Sequence, residues 1–440
     1  MADVEADAPH IHWVSPLPPA ETDIAHYTQR LLPALTERAN VTLWTDASYW
    51  ATDFGRFCQV RALDPETVLP EDMRAASSSC GQPEVAFVQI GNSSVFHLGL
   101  LGLAQRMPTV LVLHDLALQE LYFDAICEGW MRLDDYFETI ERWYGKSARR
   151  ECLQPWTGEA LAGSLSQEIP AFEVLMETAV SILTHTSVAH RAVSRRRFLP
   201  AYHLELPYRA HSAASAQRDT FGPLRLMQFG YLNENRRLEQ VIEALAVVAP
   251  DVDFVLDVCG TIWDPDKIDA LCDELGLTDR VRINGFIPEP DLDALLGRAH
   301  LVFNLRNPTM GEASGSQLRI WDAAAASVVS DDGWYAEVPD DTVFRIPKNN
   351  EVAALSKLIR QLSDDRHIAE EKGRGGRAYL LKQHHPDTYA DGIVKIARAF
   401  SRDAHDAVLA RAARSLLMNP STPTASQDLM RDRLSALLST

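Results

Sequence analysis

Two doubly wound α/β units within one chain of 440 residues are predicted by three observations. Short apolar runs alternate with stretches of helical period. The alternation breaks once, in a small, polar, aperiodic segment from Pro207 to Pro223. It then restarts with the same succession of elements. Strands separated by helices require a parallel sheet covered on both faces.

In the first half, His12 to Ser15, Val41 to Trp44, Val85 to Ile90, Val110 to Leu113 and Ser181 to Thr184 read as buried strands. Ile24 to Leu35 reads as an amphipathic helix, with Ile24, Tyr27, Leu31 and Leu35 on one face. After the break, strands are expected at Leu224 to Phe229, Asp253 to Cys259, Val281 to Asn284, His300 to Asn304 and Ser327 to Ser330. Helices are expected at Arg237 to Val248, Lys267 to Leu275, Leu292 to Arg298 and Gln317 to Ala326. From Glu351 onward the pattern is mostly helical, with a break at Asn419 to Pro423 and a short amphipathic helix after it. The domain expectation is a Rossmann-like unit over 1–206, a linker over 207–223, a second Rossmann-like unit over 224–385, and helices over 386–440. No internal repeat of 20–50 residues is visible beyond the two halves. Ligands bind open α/β sheets at the C-terminal ends of their strands.

Composition narrows the function classes. Hydrophobic residues make up 46% of the chain, as in ordinary globular proteins. The formal net charge of −19 disfavours nucleic acid as a partner. Arg195, Arg196 and Arg197 form one local basic cluster and Arg149 with Arg150 another; each reads as a solvated helix end. No apolar run reaches 18 residues, and Met1 to His10 is acidic without an apolar core, so neither a membrane span nor a secretory signal is expected. Cys58, Cys80, Cys127, Cys152, Cys259 and Cys272 lack close ligand spacing, which suits reduced thiols rather than disulfides or a metal site. The expected location is the cytoplasm, with peripheral association at a membrane allowed; an oligomer is also allowed.

The most informative stretch is RNPTMGEASGSQLRIWDAAAASVVSDDGWYAEVP, Arg306 to Pro339. Pro308 and Gly311 build a tight loop after an apolar strand. Glu312 precedes Ser314, Gly315 and Ser316, a small-residue helix start whose free N–H groups suit a diphosphate. A carboxylate just ahead of it suits sugar hydroxyls. The alternative for these residues alone is a capped helix with a solvated glutamate.

This stretch resembles the donor site of family 4 of the retaining glycosyltransferases, in the branch whose motif reads roughly PTxGExSGxxxRALALGKPVIVSDVGWFxELPDD. Pro308, Thr309, Gly311, Glu312, Ser314, Gly315, Arg319, Ser330, Asp331, Gly333, Trp334, Glu337, Pro339 and Asp340 match it without a gap. SPLPPAETDIAHYTQRLLPAL, Ser15 to Leu35, resembles the family opening. IGNSSVFH, Ile90 to His97, and TVLVLHDLAL, Thr109 to Leu118, resemble its middle. MQFGYLNENRRLEQVIEAL, Met227 to Leu245, resembles the strand, loop and helix that open its second domain. The resemblance spans about residues 10–400. It implies a GT-B fold of two Rossmann-like domains facing a central cleft, the helix from about Pro386 to Phe400 crossing back to the first domain. It also implies hexosyl transfer from a nucleotide diphosphate sugar with retention, without a metal or other cofactor, onto a saccharide, lipid-linked or protein acceptor in glycan or polysaccharide biosynthesis.

Residue roles follow from the same resemblance. Arg236 stands at the Lys of the family's GRLxxEKG segment and is the diphosphate cation, adjacent to Arg237. Gly230, Gly311, Ser314, Gly315 and Ser316 join them in donor binding. Glu312 is the first Glu of an E-x(7)-E motif and meets the donor sugar. His114 takes the place of a first-domain histidine beside the reacting centre. Asn92, Ser93, His97 and Asp115 line the acceptor side. The pattern is broken at four places. Ile320 replaces the second Glu, leaving the ribose contact open. Ala324, Ala325 and Ala326 replace the triplet GKP. Asp23 replaces a loop glycine, and Tyr231 replaces the Arg of GRLxxEKG, so one diphosphate cation is missing or supplied elsewhere. These departures keep a second reading open, a catalytically weak homologue acting as a binding partner or scaffold. A dinucleotide-dependent dehydrogenase is set aside, because no G-x-G-x-x-G follows a strand in the first half.

Overall fold

Each half of the chain folds around its own parallel sheet. A computed structural model describes residues 8–68, 70–76, 84–211 and 218–418. Contacts divide the chain into two units, residues 205–386 forming one and the residues on either side, up to Leu204 and from Asp387, forming the other.

The sheet of the first unit contains β1 (His10–Val14), β2 (Asn40–Thr45), β3 (Gln59–Ala62), β4 (Glu84–Ile90), β5 (Val110–Leu113), β6 (Ser181–Thr184) and β7 (Ala201–His203), in the order β3-β2-β1-β4-β5-β6-β7. All pairs are parallel. The central strands are buried along almost their whole length, which is why they read as mainly apolar runs. Trp13 of β1 stacks on Phe87 of β4, with ring centroids 5.7 Å apart. The helix Asp23–Thr36 begins where the Thr22 hydroxyl accepts from Ile24 N, and it carries Asp23 in its first turn. It buries Tyr27, Leu31 and Leu35. The long helix Pro386–Met418 belongs to this unit: the Tyr389 hydroxyl lies 2.6 Å from that of Tyr27, and Asp387 and Asp391 both pair with Arg38.

The second unit contains β8 (Leu224–Phe229), β9 (Phe254–Cys259), β10 (Val281–Gly285), β11 (Leu301–Phe303), β12 (Ala326–Ser330) and β13 (Phe344–Ile346), again all parallel, in the order β10-β9-β8-β11-β12-β13. Leu226, Phe254, Leu256 and Phe303 meet Ile242 and Leu245 of the helix Leu238–Val248 in one core. Truncating one such residue, for example Phe254→Ala, costs about 3–5 kcal/mol.

The strands missed by the apolar pattern are β3, β7 and β13, each at the edge of its sheet. An edge strand needs no continuous apolar run, and these three are short and half exposed. The helix expected to reach Ala326 stops at Asp322, because Ala324 turns to φ 49° and the chain enters β12. The break at Asn419 to Pro423 and the helix after it lie outside the described residues. Among the described residues, no helix is long and apolar enough to cross a membrane.

Candidate functional site

Both sheets reverse their strand order once, between β1 and β4 in the first unit and between β8 and β11 in the second. A crevice opens at such a switch point, beyond the C-terminal strand ends. The segments after β8 and β11 hold every donor-side candidate: Gly230, Arg236 and Arg237 after β8, and Gly311, Glu312, Ser314, Gly315 and Ser316 after β11.

Arg236 is 8% exposed, and among the described residues no carboxylate pairs with it. Its Nη1 donates to Asn304 Oδ1 at 3.1 Å, and its Nη2 lies against Gly230, only 3.2 Å from where a Cβ would stand. Gly230 has φ 109°, so it meets two demands at once, backbone conformation and space for the guanidinium. Asn304 passes the connection on, donating to Ser314 Oγ at 3.3 Å and to Gln317 Oε1 at 3.0 Å. Ser314 caps the helix Gly315–Asp322 by accepting from Gln317 N at 3.1 Å. The buried cation and this helix start are thus joined through one amide side chain.

Arg237 points elsewhere. Its guanidinium pairs with Glu351 at 2.7 Å, a carboxylate 4% exposed that also accepts from Asn307 Nδ2 at 3.2 Å. Arg237 has φ 60°, where the resembled segment GRLxxEKG carries its glycine.

Glu312 is committed to its own loop. Oε1 accepts from Arg306 Nε at 2.7 Å, while Oε2 accepts from the Thr309 hydroxyl at 2.9 Å and from Met310 N at 2.7 Å. Gly311, with φ 80°, sits inside this turn. Among the described residues, several buried polar atoms at this loop and beside Arg236 lack a partner: Arg306 Nη1; Asn235 Oδ1, whose Nδ2 donates to the Pro308 carbonyl; and Gln228 Oε1, whose Nε2 donates to the Arg236 carbonyl. The Tyr335 hydroxyl lies near Ser314 and Asn304 but reaches hydrogen-bonding geometry with neither. Unsatisfied buried polar atoms are rare, and a cluster of them marks where a polar ligand fits.

The first-unit candidates gather at the C-terminal ends of β4 and β5. His114 follows β5, and its Nε2 lies 2.9 Å from Gln89 Oε1. Its ring packs edge-on to Tyr27 and 4.9 Å from His185. Burial, then the neighbouring His185 and His97, push the His114 pKa well below its ordinary value. The neutral imidazole is therefore a hydrogen-bonding group rather than a cation at neutral pH. His97 lies 3.2 Å from the Gln89 carbonyl and is held at about 4 by burial. Asp115 Oδ2 accepts from Asn92 N at 2.7 Å, and Asn92 Nδ2 donates to Glu120 at 2.6 Å. Gly91 is the hub: a Cβ there would meet His97 Nε2 at 3.0 Å and Asp115 Oδ2 at 3.1 Å. Ser93 precedes the helix Ser94–Arg106 without capping it through its side chain. Among the described residues, no group of three or more His, Cys, Asp or Glu is placed to hold a metal ion.

Asn304, Arg306, Gln89, Gln228 and Glu351 were not singled out from the sequence. A signal existed for two of them. Gln89 and Gln228 are the lone amides of their mainly apolar strands, each at the penultimate position, and both are buried.

Residues 221–379 match the family described as glycosyl transferases group 1. No curated protein sequence matches the chain. Among solved structures, Anabaena HepE in complex with UDP is similar, with a TM-score of 0.58 and 14% identity over 89% of this chain and 100% of that one. Sucrose-phosphate synthase from Thermosynechococcus elongatus gives 0.57 and 15% over 90% and 99%. WaaG, a glycosyltransferase involved in lipopolysaccharide biosynthesis, gives 0.53 and 14% over 87% and 99%. The two Rossmann-like units have the architecture of GT-B glycosyltransferase structures, and residues 221–379 carry a glycosyltransferase group 1 domain.

Proposed function

We propose that the chain is a retaining glycosyltransferase that moves a sugar from a nucleotide diphosphate sugar to a hydroxyl acceptor in glycan or polysaccharide biosynthesis. The observation that carries this reading is Arg236, a buried guanidinium at the switch point of the second sheet, with no acidic partner among the described residues. An uncompensated buried charge costs several kcal/mol. A diphosphate oxygen supplies the missing countercharge, and the N–H groups at Gly315 and Ser316 supply further donors.

In the reaction, the bond from the sugar's anomeric carbon to the β-phosphate oxygen breaks, and a bond to the acceptor oxygen forms on the same face. The acceptor proton passes to the departing diphosphate. Negative charge builds on the leaving oxygen, where Arg236 and the helix start stabilise it. His114, neutral and in hydrogen-bonding surroundings, is assigned to a donor-sugar hydroxyl, and Asn92, Ser93, His97 and Asp115 to the acceptor side. The cationic work falls on the chain's own residues, with no metal assigned.

A thermal-shift panel of UDP, GDP and ADP tests the reading. HepE structures hold UDP and UDP-glucose, which makes UDP the first to try. A ligand specific for the folded state at a hundredfold its Kd stabilises by about 2.7 kcal/mol. No response to any of the three would remove donor binding and the enzyme reading with it. The second reading, a weak or inactive homologue, draws on Glu312 being engaged by three donors of its own loop and on Ile320, fully buried where the resembled motif has a carboxylate. Nucleotide binding without turnover of any nucleotide sugar would favour it.

A further inference from the structure

Tyr335 sits on the short helical turn Gly333–Ala336 that follows β12. The resembled motif, GWFxELP, has phenylalanine at this position, so the hydroxyl is an addition of this chain. The side chain is 1% exposed, and its hydroxyl has no partner among the described residues. It lies beside Ser314, Asn304 and the Arg306–Glu312 pair. Burial above all pushes its pKa up to about 12, so it stays an O–H at neutral pH. An unpaired buried hydroxyl is unfavourable, and phenylalanine would avoid that cost at almost the same volume.

The turn that carries it is held on several sides. Asp332 caps it by accepting from Gly333 N at 2.9 Å, and Arg345 Nε donates to the Tyr335 carbonyl at 2.8 Å. Gly333, with φ 55°, packs on the loop before the helix Gly315–Asp322: a Cβ there would meet Thr309 Cγ2 at 2.9 Å.

Ser314 and Asn304 differ in what they can still accept. Ser314 Oγ already takes protons from Gln317 N and from Asn304 Nδ2, which uses both of its lone pairs. Asn304 Oδ1 accepts from Arg236 Nη1 and keeps one lone pair. Asn304 is 2% exposed, so loss of the guanidinium would strand a buried carbonyl oxygen.

We propose that Tyr335 is a positioning residue of the donor site: its O–H is the reserve donor to Asn304 Oδ1, engaged when a diphosphate oxygen draws Arg236 away. Asn304 then keeps its orientation, and with it the bonds that hold Ser314 and Gln317 at the helix start. Binding of the anion leaves no buried oxygen bare. This inference rests on the donor-site reading of Arg236.

The test uses the full chain, with Tyr335→Phe made alone and in the Arg236→Ala background. Melting temperatures are measured without ligand. UDP, GDP, ADP and the matching nucleosides are titrated by calorimetry into the parent and into Tyr335→Phe. Alone, Tyr335→Phe removes no bond, so the ligand-free melting temperature should stay unchanged or rise. In Arg236→Ala the guanidinium is already gone and Tyr335 is engaged, so its loss should lower the melting temperature by about 2–4 °C. Binding of the diphosphate that the parent takes should weaken about three- to tenfold in Tyr335→Phe, with nucleoside binding unchanged. Equal diphosphate binding by parent and Tyr335→Phe overturns the proposal and leaves the donor reading standing. Equal effects on melting temperature in both backgrounds, whether nil or a loss, overturn it too, because the hydroxyl then answers to nothing at Arg236. No binding of any of the three diphosphates by the parent removes the donor reading and this proposal together.

Discussion

Arg306 Nε donates to Glu312 Oε1 across 2.7 Å, and the two side chains are only 11% and 14% exposed. The pair closes the loop between β11 and the helix Gly315–Asp322, and leaves Arg306 Nη1 buried without a partner. Glu312→Gln removes the countercharge while keeping the shape. It should lower stability by roughly 1–3 kcal/mol and reduce sugar transfer, with UDP binding nearly unchanged because UDP lacks the transferred sugar. A double-mutant cycle with Arg306→Gln should show a coupling of about 1 kcal/mol or more in thermal unfolding. Strictly additive single variants would mean that the pair is a surface contact. Equal loss of nucleotide binding and transfer would assign Glu312 to the phosphate site or to the fold.

Adjacent arginines should behave differently. Arg236 has an amide partner and packs its Nη2 against Gly230, whereas Arg237 is bound to Glu351. Arg236→Ala should weaken nucleoside diphosphate binding by about 2–5 kcal/mol and leave nucleoside binding nearly untouched. Arg237→Ala should instead strand the buried Glu351 and appear mainly as a loss of melting temperature. Calorimetric titration of UDP and uridine into both variants separates the two. Equal losses for both ligands in Arg236→Ala would refute the phosphate assignment.

The central strands were legible because burial on both faces demands apolar runs, as in Val110–Leu113 and Leu301–Phe303. Edge strands such as Ala201–His203 face water and carry no such run. The candidate donor-side residues stood out as positions because loop glycines and small helix-start residues have few substitutes. Their partners were not. Whether Arg237 meets a ligand or Glu351 depends on a residue 114 positions away, and Asn304 gains its meaning only when β8 and β11 lie side by side. Two left-handed residues were also hidden: Arg237 and Ala324 keep the backbone of the glycines found in the resembled pattern, but not the side chain.

Ala324 gives that last point a measurable consequence. It holds φ 49° at the end of the helix Gly315–Asp322, and a Cβ on Gly373 would fall 2.0 Å from its carbonyl oxygen. The close approach of the helix His367–Gln383 keeps the turn from relaxing. Ala324→Gly should stabilise the chain by a few tenths to about 1 kcal/mol, the relieved strain outweighing the added freedom of the unfolded chain. Gly373→Ala should destabilise it by roughly 2–4 kcal/mol, because backbone rather than a mobile side chain is in the way. Chemical denaturation reads both; a neutral Gly373→Ala would show that the helix can shift.

Protonation gives the two units opposite responses to pH. In the first unit, burial depresses His97 and His185 to about 4, and His114 lies well below its ordinary value of 6.5. The folded state then binds fewer protons than the unfolded one. The stabilisation is complete above 6.5 and is lost as pH falls towards 4. One histidine shifted this far accounts for at most roughly 3 kcal/mol. His185→Gln keeps a donor for the Leu204 carbonyl, 3.1 Å from His185 Nδ1, and should flatten the fall in melting temperature across this window. In the second unit, Glu205 is raised from 4.5 to about 7, by burial first and by Glu337 second. Here the folded state binds the extra proton, so stability falls as pH rises from 4.5 through 7. Glu205→Gln should be neutral near pH 4 and stabilising at about pH 8. Melting temperatures of both variants across this range decide the matter. The same slope in His185→Gln as in the parent, or a Glu205→Gln gain that does not grow with pH, would show that these groups titrate alike in the folded and unfolded chain.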